Sequence, residues 1–126
     1  VGKFLKKRKP LPSVALTTDS SILTSISNDV EFKYVFSRQI ESIGNKNDIL
    51  IAITTSGKSR NIIEALKVSK KKKIKNICFT KENYPKVLEN YCNTVLDVPA
   101  KRVDRIQEMH IFIGHTICEI LEADLT

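Results

Sequence analysis

Two stretches of this chain hold side chains that could do chemistry. In the first, "ILIAITTSGKSRNII", Thr54, Thr55, Ser56 and Ser59 crowd around Gly57 and Lys58. They separate a continuous apolar run, Asp48 to Ile53, from a segment where Ile62, Ile63 and Leu66 recur at helical spacing. A turn that leaves a buried strand and opens a helix presents free amides and the positive end of a helix dipole, and both attract anions. The hydroxyls add donors for phosphate oxygens, and Gly57 lets the backbone come close. The same residues also suit ordinary helix capping, with Ser59 as the cap and no ligand at all. "Gly57-Lys58-Ser59" is not a P-loop ending, because the glycine required five positions earlier is Ala52.

The second stretch is "DRIQEMHIFIGH", where Gln107, His110 and His115 interrupt an apolar helical pattern. Residues five apart, such as His110 and His115, diverge by about 140° around a helix, so they are not an i, i+4 metal pair. Gln107 and His115 are separated by roughly 12 Å along the axis and about 80° in azimuth, so they could reach one ligand only from its two sides or through a helix distortion. The alternative is that one or both histidines are hydrogen-bonded core residues.

These residues need a scaffold. Asp48–Ile53, Ile74–Phe79 and Thr94–Val98 read as strands buried on both faces, and Ser13–Leu16 after Pro10 and Pro12 as a fourth. Asp19-Ser20-Ser21 opens a short helix, and Phe32, Val35, Phe36, Ile40 and Ile43 outline a second that Gly44 ends. A helix capped by Ser59, a short one over Tyr84 to Tyr91, and a long one from Val103 to Leu125 complete the pattern. Alternating strands and helices call for a parallel sheet inside a three-layer α/β sandwich. The four strands are few for such a sheet, and the chain opens on Val1, so we expect a missing N-terminal piece. We expect residues 1–126 to form a single domain, itself partial.

Composition narrows the class. Lys and Arg number 21 against 14 Asp and Glu, a net charge of +7, and 41% of residues are apolar. This excludes a disordered or collagenous chain, and no apolar run is long enough to span a bilayer. The charge is mostly lysine, clustered at Lys3–Lys9 and Lys67–Lys75. Few arginines and no interleaved aromatics argue for solvated helix ends rather than nucleic-acid binding. Cys78, Cys92 and Cys118 have no metal-like spacing and suit buried thiols in a reducing cytoplasm.

The segments "LPSVALTTDSSILTSISND", "VFSRQIESIG", "DILIAITTSGKSRNIIEAL" and "DRIQEMHIFIGHTICEILE" together resemble the phosphoheptose isomerases of the sugar isomerase (SIS) domain superfamily. The resemblance runs in order from Val1 to Glu122. It implies a flavodoxin-like parallel sheet, lacking here the N-terminal helix and first strand, and a cytoplasmic homotetramer. It implies conversion of sedoheptulose 7-phosphate to a manno-heptose 7-phosphate for bacterial surface heptose, with zinc as cofactor.

Residue by residue, the resemblance implies that Asn28 and Asp29 contact substrate. Thr54, Thr55, Ser56 and Ser59 would hold its phosphate. Gln107 and His115 would approach metal and substrate, with His115 as the acid/base group, while His110 is structural. Lys58 replaces the family's usual Asn, and Thr54 its common Ser. The family's Gly-Asn-Gly-Gly loop, a metal-binding His and a catalytic Glu all fall before the point matching Val1. A rival reading is a non-catalytic sugar-phosphate scaffold of the kind that associates with a replication initiator. That type carries Asn where this chain has His115, which favours the isomerase.

Overall fold

The fold was obtained as a computed structural model, which describes residues 1–125. The Asp19 carboxylate accepts the Ile22 amide at 2.9 Å and starts α1, Ser20–Asp29. The next apolar pattern does not make one helix. It breaks into a 3-10 turn, Phe32–Tyr34, and a short α2, Ser37–Ile43, which closes at Gly44. Then come β1 (Ile49–Ile53), α3 (Arg60–Lys71), β2 (Lys75–Lys81), a 3-10 turn (Lys86–Asn90), β3 (Thr94–Val98) and α4 (Val103–Asp124).

The strands are parallel in the order β1-β2-β3, with Ala52 beside Cys78 and Phe79 beside Leu96. Side chains alternate across a strand, so neighbours in β2 face opposite layers. Cys78 joins Ala52, Leu66 of α3 and Leu88 in one cluster. Phe79 points the other way, to His110 of α4, with ring centroids 5.9 Å apart. Helices therefore lie on both sides of the sheet, giving the three-layer α/β arrangement. Coverage is uneven. Ile49, Ile51 and Ile53 are 62%, 47% and 54% exposed, so the α4 side of β1 is bare.

Three strands form among the described residues, not four. Ser13–Leu16 is irregular, because a strand exists only through its ladder and this segment has none. It is fixed instead by the Gln39 side-chain amide, which donates to the Leu16 carbonyl at 3.0 Å, and by Leu16 packing near Ile40, Ala65 and Ile74. A groove of about 520 Å³ separates it from β1 and runs up to Ser59 and Asn61. The expected helix over Tyr84–Tyr91 is only the 3-10 turn, entered from Pro85.

The lysine run has a structural place. It closes α3, where cations suit the negative end of the dipole. Lys70 donates to the Asn90 carbonyl, and Lys72 to the Glu41 carbonyl at 2.6 Å. Among the described residues, no helix is long and apolar enough to cross a membrane.

Candidate functional site

The Thr54–Ser59 turn lies at the carboxyl ends of the strands, where open α/β sheets bind ligands. Thr54 is buried, and its Oγ1 accepts the Gly57 amide at 3.2 Å while sharing a hydrogen bond of 3.2 Å with Ser59 Oγ. Ser56 Oγ accepts the Lys58 amide at 3.1 Å. Ser59 precedes α3 as expected, yet its side chain caps no amide, because Thr54 holds its hydroxyl. The Thr55, Ser56 and Ser59 amides make no hydrogen bond to other described residues. Three free amides and half-buried hydroxyls at a helix start form an anion-ready concavity.

Gly57 is required twice over. Its φ is +69°, and a Cβ there would stand 2.9 Å from Pro85 Cδ and 3.2 Å from Leu88 Cδ1. Thr80 lies just beneath, its Oγ1 only 3.3 Å from that point. Sequence reading overlooked Thr80; its one signal is a hydroxyl near the end of a buried strand. Its Oγ1 is buried without a partner, as is His110 Nδ1. His110 Nε2 lies 3.0 Å from the Thr80 carbonyl. A carbonyl only accepts, so Nε2 donates in this contact. His110 is thus a core residue tying α4 to the end of β2.

The other expected site residues are spread out. Asn28 and Asp29 end α1, exposed, with Asn28 Nδ2 donating to Asp29 Oδ1 at 2.9 Å. Gln107 and His115 are both exposed on α4, and no hydrogen bond joins them. His115 instead meets the Phe4 ring at 5.5 Å. No group of three or more His, Cys, Asp or Glu side chains gathers as a metal site among the described residues.

Glu122 is the second residue that sequence reading missed. It is 2% exposed near the end of α4, and its carboxylate accepts the amides of Phe4, Leu5 and Lys6 at 2.8, 2.7 and 2.7 Å. Arg8 Nε donates to it at 3.0 Å. Burial pushes this carboxyl upward, but the three amides and the guanidinium outweigh it and hold it at about 2. The latch lays residues 4–6 along α4 and so sets Phe4 against His115.

A family model described as the SIS domain matches residues 1–81, which include the whole Thr54–Ser59 turn. The chain belongs to the SIS domain family. Its relatives in that family include the phosphoheptose isomerase of Campylobacter jejuni subsp. jejuni serotype O:6, 48% identical over 122 residues, covering 96% of this chain and 64% of that protein. The phosphoheptose isomerase of Clostridium acetobutylicum is 46% identical over 125 residues, covering 99% of this chain and 63% of its own length. Among solved structures, phosphoheptose isomerase GmhA from Neisseria gonorrhoeae superposes with a TM-score of 0.84 at 40% identity. That match covers 87% of this chain and 61% of that one. A phosphoheptose isomerase from Francisella tularensis gives 0.86 at 36%, covering 90% and 60%. The chain therefore spans about three fifths of the length of the relatives it matches.

Proposed function

We propose that this chain is part of an aldose–ketose isomerase that interconverts sedoheptulose 7-phosphate and D-glycero-manno-heptose 7-phosphate. The observation that carries the reading is the anion-ready turn, with the Thr55, Ser56 and Ser59 amides unpaired beside the Ser56 hydroxyl. The names of the relatives supply the substrate class. In this scheme Thr54 and Ser59 brace the turn, and Thr55, Ser56 and the amides grip the phosphate. Asn28 and Asp29 hold sugar hydroxyls.

Moving a carbonyl between C2 and C1 requires taking a proton from one carbon and returning one to its neighbour through an enediol. A base and an acid on opposite sides of the sugar suffice. His115 fills one of those posts, since imidazole gives and takes protons near neutral pH. Gln107 orients the substrate from the same helix.

Zinc fits these residues only in part. His115 is a natural donor and Gln107 a weaker one, whereas catalytic zinc sites use three protein ligands. When bound, a divalent metal would polarise the carbonyl. The chain's own residues would then orient the sugar and move the proton. A cytoplasmic setting suits three free cysteines, and a homotetramer suits the exposed Met109, Phe112 and Ile120 on α4.

The test is isomerisation of sedoheptulose 7-phosphate by the full-length protein with zinc supplied, alongside calorimetric binding. Turnover is expected. Tight binding with no turnover would overturn the enzyme reading in favour of a phosphosugar-binding scaffold.

A further inference from the structure

His115 stands exposed on α4, and no hydrogen bond to another described residue holds either of its ring nitrogens. An imidazole so placed can turn about two side-chain torsions, and each turn carries its nitrogens to a different place. What the ring does meet is Phe4. The two centroids are 5.5 Å apart and the planes are tilted by 40°, a spacing usual for paired aromatic rings.

Phe4 is placed by its backbone. Its amide donates to Glu122 Oε1 at 2.8 Å, and the next two amides donate to Oε2 at 2.7 Å each. Arg8 closes the segment around that carboxylate. Its Nε donates to Glu122 Oε1 at 3.0 Å, Nη2 to the Gly2 carbonyl at 3.1 Å and Nη1 to the Lys9 carbonyl at 3.0 Å. Glu122 follows His115 by about two helical turns, so carboxylate and imidazole share one face of α4. A loop clasped over that face brings its ring to the imidazole.

We propose that Phe4 is a positioning residue for His115: its ring restricts the orientation of the imidazole and leaves both nitrogens free. The kinetic consequence rests on the proposed isomerase activity; the hold on the ring does not. A working histidine is often oriented by a hydrogen bond to one nitrogen, which also fixes its tautomer. His110 is held in that way, by the Thr80 carbonyl. A phenyl ring neither gives nor takes a proton, so it limits rotation without competing for the one that His115 moves. Rotamers removed before the substrate arrives need not be removed in the transition state.

The test uses the full-length protein with zinc supplied. Phe4→Ala should lower kcat for sedoheptulose 7-phosphate roughly tenfold while KM changes less than about twofold, because a misplaced group loses rate rather than binding. Phe4→Tyr keeps the ring and should restore kcat. In a His115→Asn background Phe4→Ala should lower kcat no further, since a residue acting through the imidazole has nothing left to act on. A tenfold loss that persists in that background, or a Phe4→Tyr protein as slow as Phe4→Ala, would overturn the proposal.

A second measurement does not depend on turnover. In histidine-labelled protein the ring-proton resonances of His115, assigned by their absence from His115→Asn, should be displaced by the Phe4 ring current. Phe4→Ala should remove that displacement and leave the His110 signals in place, which reports an intact fold, whereas Phe4→Tyr should keep it. His115 resonances that stay put in Phe4→Ala would equally overturn the proposal. A wild-type protein that never turns the sugar phosphate over would sink the isomerase reading, and the resonances would still decide whether Phe4 holds the ring.

Discussion

The Thr54–Ser59 turn and the Gln107–His115 stretch of α4 are built in opposite ways. The turn finds its partners within itself: Thr54 holds Gly57 and Ser59, and Ser56 holds Lys58. It is buried from below by Pro85, Leu88 and Thr80. The α4 stretch presents Gln107 and His115 to solvent, with the Phe4 ring against the imidazole. Gripping an anion is a task that six neighbouring residues can complete, because amides and hydroxyls need only local geometry. Proton transfer needs two groups facing each other across a substrate, and a straight helix cannot face itself.

The comparison breaks most sharply at His115. In the full-length protein, His115→Asn should lower kcat for sedoheptulose 7-phosphate by about 10²–10⁴-fold while binding survives, since Asn cannot titrate. Unchanged turnover would take this residue out of the chemistry. Ser56→Ala should do the converse, raising KM roughly tenfold with kcat nearly intact, as one hydrogen bond to a charged group is worth about 1.5 kcal/mol. A fall in kcat alone would mean that the turn does more than bind.

Gly57→Ala sharpens the same contrast from the stability side. It forces a side chain into φ +69° and against Pro85 and Leu88, so it should cost about 1–3 kcal/mol in chemical denaturation. Gly114, whose added Cβ would meet nothing within 4 Å, should tolerate Ala without loss.

The smallest effect concerns the Glu122 latch. Its folded-state carboxyl sits at about 2, below the ordinary 4.5, so its contribution is full above pH 4.5. That contribution is lost as the pH falls from 4.5 towards 2. Glu122→Gln should flatten this part of a melting-temperature profile against pH. An unchanged slope would show that other carboxyls dominate acid unfolding.

What could be read from the residues follows the same division. β3 was legible at its true bounds, Thr94–Val98, because Val95, Leu96 and Val98 lie in a short β-prone segment that Pro99 stops. α4 was legible from its first residue to within one residue of its end from the spacing of Ile106, Ile113 and Ile117. The turn's hydroxyls were visible too. Hidden were the features that depend on distant neighbours. Ser13–Leu16 has strand-like composition but no ladder. Ser59 looks like a cap until Thr54 claims its hydroxyl. Glu122 reads as one more exposed helix acid until three amides from the other end of the chain close on it.

The lysine run that closes α3 determines how this protein responds to ionic strength. Lys70 and Lys72 are tethered to the carbonyls of Asn90 and Glu41 by short-range bonds that salt barely weakens. The mutual repulsion among Lys70, Lys71, Lys72 and Lys73, within a chain of net charge +7, acts over longer distances. At 0.1 M salt the screening length is about 10 Å, so the repulsion fades while the tethers persist. Moderate sodium chloride should therefore raise the melting temperature of this fold, the reverse of a surface held by ion pairs. Neutralising Lys71 and Lys73 should shrink that gain.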